Sequence, residues 1–163
     1  MKIQEIMEMS FGHRQMPLVM ATPPNYPVDC IKYDSLYSDC IYFTDRDWKS
    51  LNCSEIEDHS DLIYGCTPEA YCYLLPGVLC AFYREKKTES FLIDILIQPL
   101  IDGYEALSSN QFYFPRWSLL NQDECAAVQE WLDWYSEVNV DFKQNSYKTA
   151  LMTLSMLRRL AKT

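Results

Sequence analysis

The sequence predicts a mainly α, single-domain bundle built around one proline-kinked helix, and three observations carry that reading. The first is the stretch Tyr64–Tyr83, YGCTPEAYCYLLPGVLCAFY. Thr67 stands at an N-cap position, Pro68 at the first helical position and Glu69 in the positive first turn. Ala70, Tyr71, Leu74, Leu75, Val78, Leu79 and Phe82 then recur at helical spacing. The second is Pro76 inside that pattern, which removes the amide that would bond the Cys72 carbonyl and predicts a bend, with Gly77 beside it. The third is composition. The 163 residues are 48% hydrophobic and 23% charged, with only four glycines. That is enough for a real core and argues against a glycine-cradled nucleotide site.

Taken in order, Ile3, Ile6 and Met7 predict a short amphipathic helix ending before Phe11-Gly12. Residues 21–29 carry three prolines and read as extended or turning. From Cys30 to Phe43 the spacing of Tyr33, Leu36/Tyr37 and Cys40/Ile41 favours a helix, while Ile41-Tyr42-Phe43 also suits a strand. Thr44 to Asp47 reads as a capping box with Asp47 in place of Glu or Gln, ahead of Trp48 and Leu51. Ser54 opens a short acidic segment, and Asp61 leads into Leu62-Ile63-Tyr64. The central helix is placed at 67–84, followed by a charged connection through Glu89.

Phe91–Ile101, FLIDILIQPLI, is apolar nearly all round and reads as a buried helix ending at Pro99, with a buried strand over 91–98 as the alternative. A small β contribution from 25–43 or 91–98 therefore stays open. Residues 102–120 form a long aromatic-studded link. Asn121 and Glu124 make a second capping box, and Cys125, Val128, Trp131, Leu132 and Tyr135 extend a helix to about 137. A last helix over 146–162 repeats Tyr147, Ala150, Leu151, Leu154, Leu157 and Leu160. Its basic end complements the negative helix terminus. The 121–137 and 146–162 helices are expected to pack on the central one.

Seven cysteines, an odd number without a CxxC pair, predict buried reduced thiols rather than a disulfide framework, and with them a cytoplasmic protein. No signal-peptide core and no 18-residue apolar run is present. Chemistry is sparse. His13 and His59 lie outside any metal-ligand spacing, and His59 reads as a solvated histidine in an acidic loop. Cys66, just ahead of a helix N-terminus, is a candidate for a lowered thiol pKa, but no base accompanies it. The residues point to no catalytic group, no metal and no cofactor.

Charge is the remaining signal. The chain carries a net −9, which disfavours direct contact with nucleic acid or anionic membrane. Between Asp39 and Glu69 eight acids face only Arg46 and Lys49. Asp45, Asp47, Glu55, Glu57, Asp58 and Asp61 are the candidate contacts for a basic partner.

Trp48-Lys49-Ser50-Leu51, the acidic spacer, Cys66-Thr67-Pro68-Glu69-Ala70-Tyr71 and Tyr73-Leu74-Leu75-Pro76-Gly77-Val78-Leu79 resemble a bacterial family of small proteins with a "W..L, spacer, LTPEA..YYLPAFL" pattern. Leu119–Glu124 through Trp131-Leu132 is similar to that family's "LS.EQ…V..FL" helix. The resemblance spans about residues 25–137 and brings no active-site residues with it. By class analogy it implies an immunity protein of a polymorphic toxin system, of the contact-dependent growth inhibition type. Such a protein is a non-enzymatic binder of a cognate toxin C-terminal domain, commonly a basic nuclease. A small enzyme or ligand-binding protein with a pocket near Cys66 and His59, and a regulatory adaptor, are the competing classes.

Overall fold

A computed structural model describes residues 2–23 and 34–161. Within them eleven α-helices follow one another: α1 (Ile3–Phe11), α2 (Ser35–Tyr42), α3 (Cys53–Asp58), α4 (Leu62–Gly65), α5 (Pro68–Glu85), α6 (Phe91–Ile101), α7 (Tyr104–Ser109), α8 (Phe114–Trp117), α9 (Gln122–Val138), α10 (Val140–Asn145) and α11 (Tyr147–Leu160). A 3₁₀-helix at Trp48–Ser50 sits between α2 and α3. Among the described residues extended pairing is confined to an isolated antiparallel bridge between Ala21 and Cys66. The strand alternatives are thereby corrected. Residues 35–42 and 91–101 are helical, and 25–33 lie outside the described residues.

Helix α5 begins as its sequence dictates. The Thr67 side chain accepts from the Ala70 amide at 3.2 Å, and Pro68 occupies the first turn. It runs without interruption through Pro76 to Glu85. Every residue from Ala70 to Phe82 is buried, so its burial is all-round rather than a stripe. Trp48 and Leu51 cover one side, α1 and α9 another, and α8 a third. Trp131 of α9 donates its indole N–H to the Leu79 carbonyl at 2.8 Å, tying the two longest helices together through the core.

Helix α9 starts with a complete capping box between Asn121 and Glu124, the expected signature. Helix α11 packs principally on α9 and α6, not on α5 as the sequence suggested. Helix α1 fills the place beside α5 and α9 with Ile3, Met7 and Phe11. Helix α6 continues two residues past Pro99, because a proline in the last turn forfeits a single backbone bond. The link over 102–120 is organised into α7 and α8, and α10 adds a further turn before α11. The buried side chains form one continuous cluster from Ile3 to Leu157.

Candidate partner-binding site

The acidic segment is held on α2, the 3₁₀-helix, α3 and α4; the 3₁₀-helix and α3 pack against α5, where the Cys53 amide donates to Glu85 at 2.9 Å, and α2 packs against α4. Helix α2 and α4 lie so close that a Cβ on Gly65 would stand 1.8 Å from the Leu36 carbonyl oxygen. Helix α3 is capped by Asn52, whose side chain accepts from the Glu55 amide at 3.0 Å. Asp47 caps the 3₁₀-helix by accepting from the Lys49 amide at 3.0 Å, the role the capping-box reading had assigned to Thr44. Asp45 sits at φ 63 in the turn between α2 and the 3₁₀-helix, its amide 3.0 Å from the Met16 sulfur.

The six predicted contact acids divide into two groups. Glu55 is committed internally: it pairs with Arg46 at 2.9 Å, accepts from Asn52 at 2.7 Å and receives the Tyr42 hydroxyl at 3.3 Å. Glu57 bonds Lys87, which arrives from beyond α5, and accepts from Ser90 at 3.0 Å. The hydrogen bond from Lys87 holds its carboxyl below the ordinary glutamate range. Asp61 accepts from Ser35, and its amide donates to Asp39 at 3.1 Å. Asp45, Asp47 and Asp58 are exposed, as is Glu69 on the first turn of α5.

His59 is not a solvated loop residue. Its Nδ1 lies 3.1 Å from Asp39, and its ring stacks on Tyr42 at 3.7 Å with an interplanar angle of 20°. The Arg46 guanidinium lies over the same Tyr42 ring at 4.7 Å. Asp39, His59, Tyr42, Arg46 and Glu55 thus form one bonded strip that fixes α2 against α3.

Three large apolar side chains break the surface on α2 and α4. Leu36 is 44% exposed and Ile41 40% on α2, and Tyr64 is 39% exposed on α4, its ring 6.1 Å from Phe112. Sequence reasoning had counted Leu36 and Ile41 among the apolar positions whose spacing favours a helix. In the structure only Cys40 of α2 is fully buried, because the helix rests on α4 by a narrow edge.

Cys66 is the reverse of an activated nucleophile. It is buried, and its hydrogen bond with Cys40, followed by desolvation, pushes the thiol pKa well up. The lowered value that its place ahead of α5 suggested is thereby corrected. A groove of ≈ 740 Å³ bordered by Lys2, Tyr83, Arg84, Lys86, Trp134 and Val138 opens where α1, α5 and α9 meet, and neither Cys66 nor His59 lines it. Among the described residues no group of three histidine, cysteine or acidic side chains could hold a metal ion. No described helix is long and apolar enough to cross a membrane.

No protein-family model matches the chain, and neither a curated protein nor a solved structure does. The functional reading accordingly rests on the residues.

Proposed function

We propose that the protein is a non-enzymatic binder of a basic protein domain, of the immunity-protein class, acting in the cytoplasm on a cognate toxin domain. The observation that carries this reading is the α2–α4 face. Exposed Leu36, Ile41 and Tyr64 stand on the helices adjoining exposed Asp45, Asp47 and Asp58. The carboxylates accelerate encounter with a cationic surface, and the apolar side chains slow dissociation once water is expelled. Of the six acids singled out by sequence, Asp45, Asp47 and Asp58 are the contacts proposed here; Glu55, Glu57 and Asp61 hold the face in shape.

The test is co-expression with the product of the neighbouring upstream gene, followed by stopped-flow association of the purified pair over a range of salt. An Asp45→Lys/Asp58→Lys variant is expected to associate roughly tenfold or more slowly at low salt and to lose most of its salt dependence. Tyr64→Ala and Leu36→Ala are expected to raise the dissociation rate by about tenfold each. Absence of a complex, or a complex whose kinetics ignore all four positions, sinks the reading.

A further inference from the structure

Cys40 on α2 and Cys66 just ahead of α5 face each other with their sulfurs 3.0 Å apart, both buried. Among the described cysteines no other pair of sulfurs is in contact; Cys53, Cys72, Cys80 and Cys125 are also buried and free. The closeness is imposed by the backbone. Gly65 admits α2 so tightly that the Cys40 sulfur lies 3.0 Å from where its Cβ would be. Cys66 is fixed from three directions. Its carbonyl accepts from Arg116 at 2.6 Å, its amide donates to Leu62 at 3.1 Å, and the residue bridges to Ala21. The Cys40 thiol also donates to the Leu62 carbonyl at 3.4 Å.

We propose that Cys40 and Cys66 form an oxidisable dithiol that closes to an intramolecular disulfide when a hydroperoxide reaches it. A disulfide bond is about 2.05 Å long, so closing it requires the sulfurs to approach by about 1 Å. Hydrogen peroxide is little larger than water and can enter a site closed to bulkier oxidants. The Cys66 sulfur attacks one peroxide oxygen, and the thiol proton passes to the departing hydroxide. The O–O bond breaks, one water leaves and a sulfenic acid remains. The Cys40 sulfur then attacks the Cys66 sulfur, the S–O bond breaks and the second water leaves. Two thiols and one peroxide become one disulfide and two waters, with two electrons passing from sulfur to oxygen. Arg116 donates to the Cys66 carbonyl, so a cation stands beside the residue whose sulfur attacks.

The covalent ring so closed would contain Asp45, Asp47, Glu55, Glu57, Asp58 and Asp61, so the bond would staple both ends of the acidic face. It rests on sulfur geometry and stands whether or not that face binds a basic partner.

The experiment treats the full-length native protein with hydrogen peroxide. Its intact mass is expected to fall by about 2 Da, reversibly with dithiothreitol. Peptide fragmentation is expected to join Cys40 to Cys66, and the oxidised form to melt at least about 5 °C higher than the reduced one. Cys40→Ser and Cys66→Ser variants should each lose the 2-Da shift. Unchanged mass, a gain of oxygen at either sulfur, or linkage to another cysteine overturns the proposal on the wild-type protein alone, whether or not the variants fold. An oxidised form that melts lower would show that the bond requires a distorted fold, and overturns it too.

Discussion

The Trp48 carbonyl oxygen lies 2.3 Å from the point that a Cβ on Gly77 would occupy, and a Leu51 methyl lies 2.8 Å from it. Gly77 is therefore the place where the 3₁₀-helix meets α5 backbone to backbone. Alanine is worth about 1 kcal/mol over glycine in a helix interior, so propensity alone would make Gly77→Ala stabilising. Contact decides otherwise. The obstacle is a carbonyl in a short capped turn, not the tip of a flexible side chain, and overpacking of this kind costs about 1–3 kcal/mol. Gly77→Ala is expected to lower stability by about 2 kcal/mol, read as a shift of the urea midpoint at constant slope. A stabilised variant would show that the 3₁₀-helix yields freely.

Lys86 ends α5 in the left-handed region, at φ 51 and ψ 35, with its amide 3.3 Å from the Tyr83 carbonyl. The Lys87 amide donates to Phe82 at 3.0 Å, completing the reversal. A lysine bears the steric cost of that conformation, which glycine escapes. The lysine is exposed, so removing its side chain exposes no core. Lys86→Gly is expected to raise stability by about 0.5–1 kcal/mol, measured in the same denaturation series, despite glycine's greater unfolded-state entropy.

What the sequence made legible was local. Thr67, Pro68 and Glu69 announce α5, and Asn121 with Glu124 announces α9, because each cap satisfies its own helix end with residues three apart. Phe91–Ile101 could not be settled, since Asp94 and Gln98, its exposed polar pair, are too few to set a period against an otherwise apolar run. Helices α7, α8 and α10 are six, four and six residues long. Such segments do not hold a helix alone and take it from neighbours that local pattern does not reveal. The same limit hid the site. Glu57 meets Lys87 across 30 positions of sequence, outside the 39–69 window, so counting charges in that window overstated the acidity of that face.

Glu124 is fully buried and holds Arg14 through both carboxylate oxygens, one contact at 2.7 Å, while it caps the Asn121 amide at 2.8 Å. Arg14 also donates to the Leu119 carbonyl at 2.9 Å, so one side chain fastens the segment after α1 to the start of α9. Removing the cation strands a carboxylate in the interior. Arg14→Met is expected to cost about 3–5 kcal/mol. The double variant Arg14→Met/Glu124→Met should cost less than that, because no charge is left unpaired. A double variant costlier than the single one would show that the cap on Asn121, not the ion pair, is the main role of Glu124.

Glu57 and Lys87 set a pH window. The hydrogen bond from Lys87 lowers the Glu57 pKa, and the same bond raises that of Lys87. A lowered carboxyl contributes stability that is present above its unfolded value, about 4.3, and is lost as pH falls through the folded value. A raised ammonium contributes stability that is present below about 10.4 and is lost as pH rises through its folded value. The stability difference between wild type and Glu57→Gln should therefore be widest on the plateau between these limits, narrowing on the acid side as Glu57 protonates and on the alkaline side as Lys87 is neutralised. Urea midpoints of both proteins across that range provide the measurement, and added salt should shrink the plateau because the pair is partly exposed. A difference that does not change with pH would mean that the Ser90 hydroxyl, which donates to Glu57 at 3.0 Å, fastens α3 to the start of α6 without help from charge. Glu57 would then be electrostatically free to meet a basic partner, and would join Asp45, Asp47 and Asp58 among the proposed contacts.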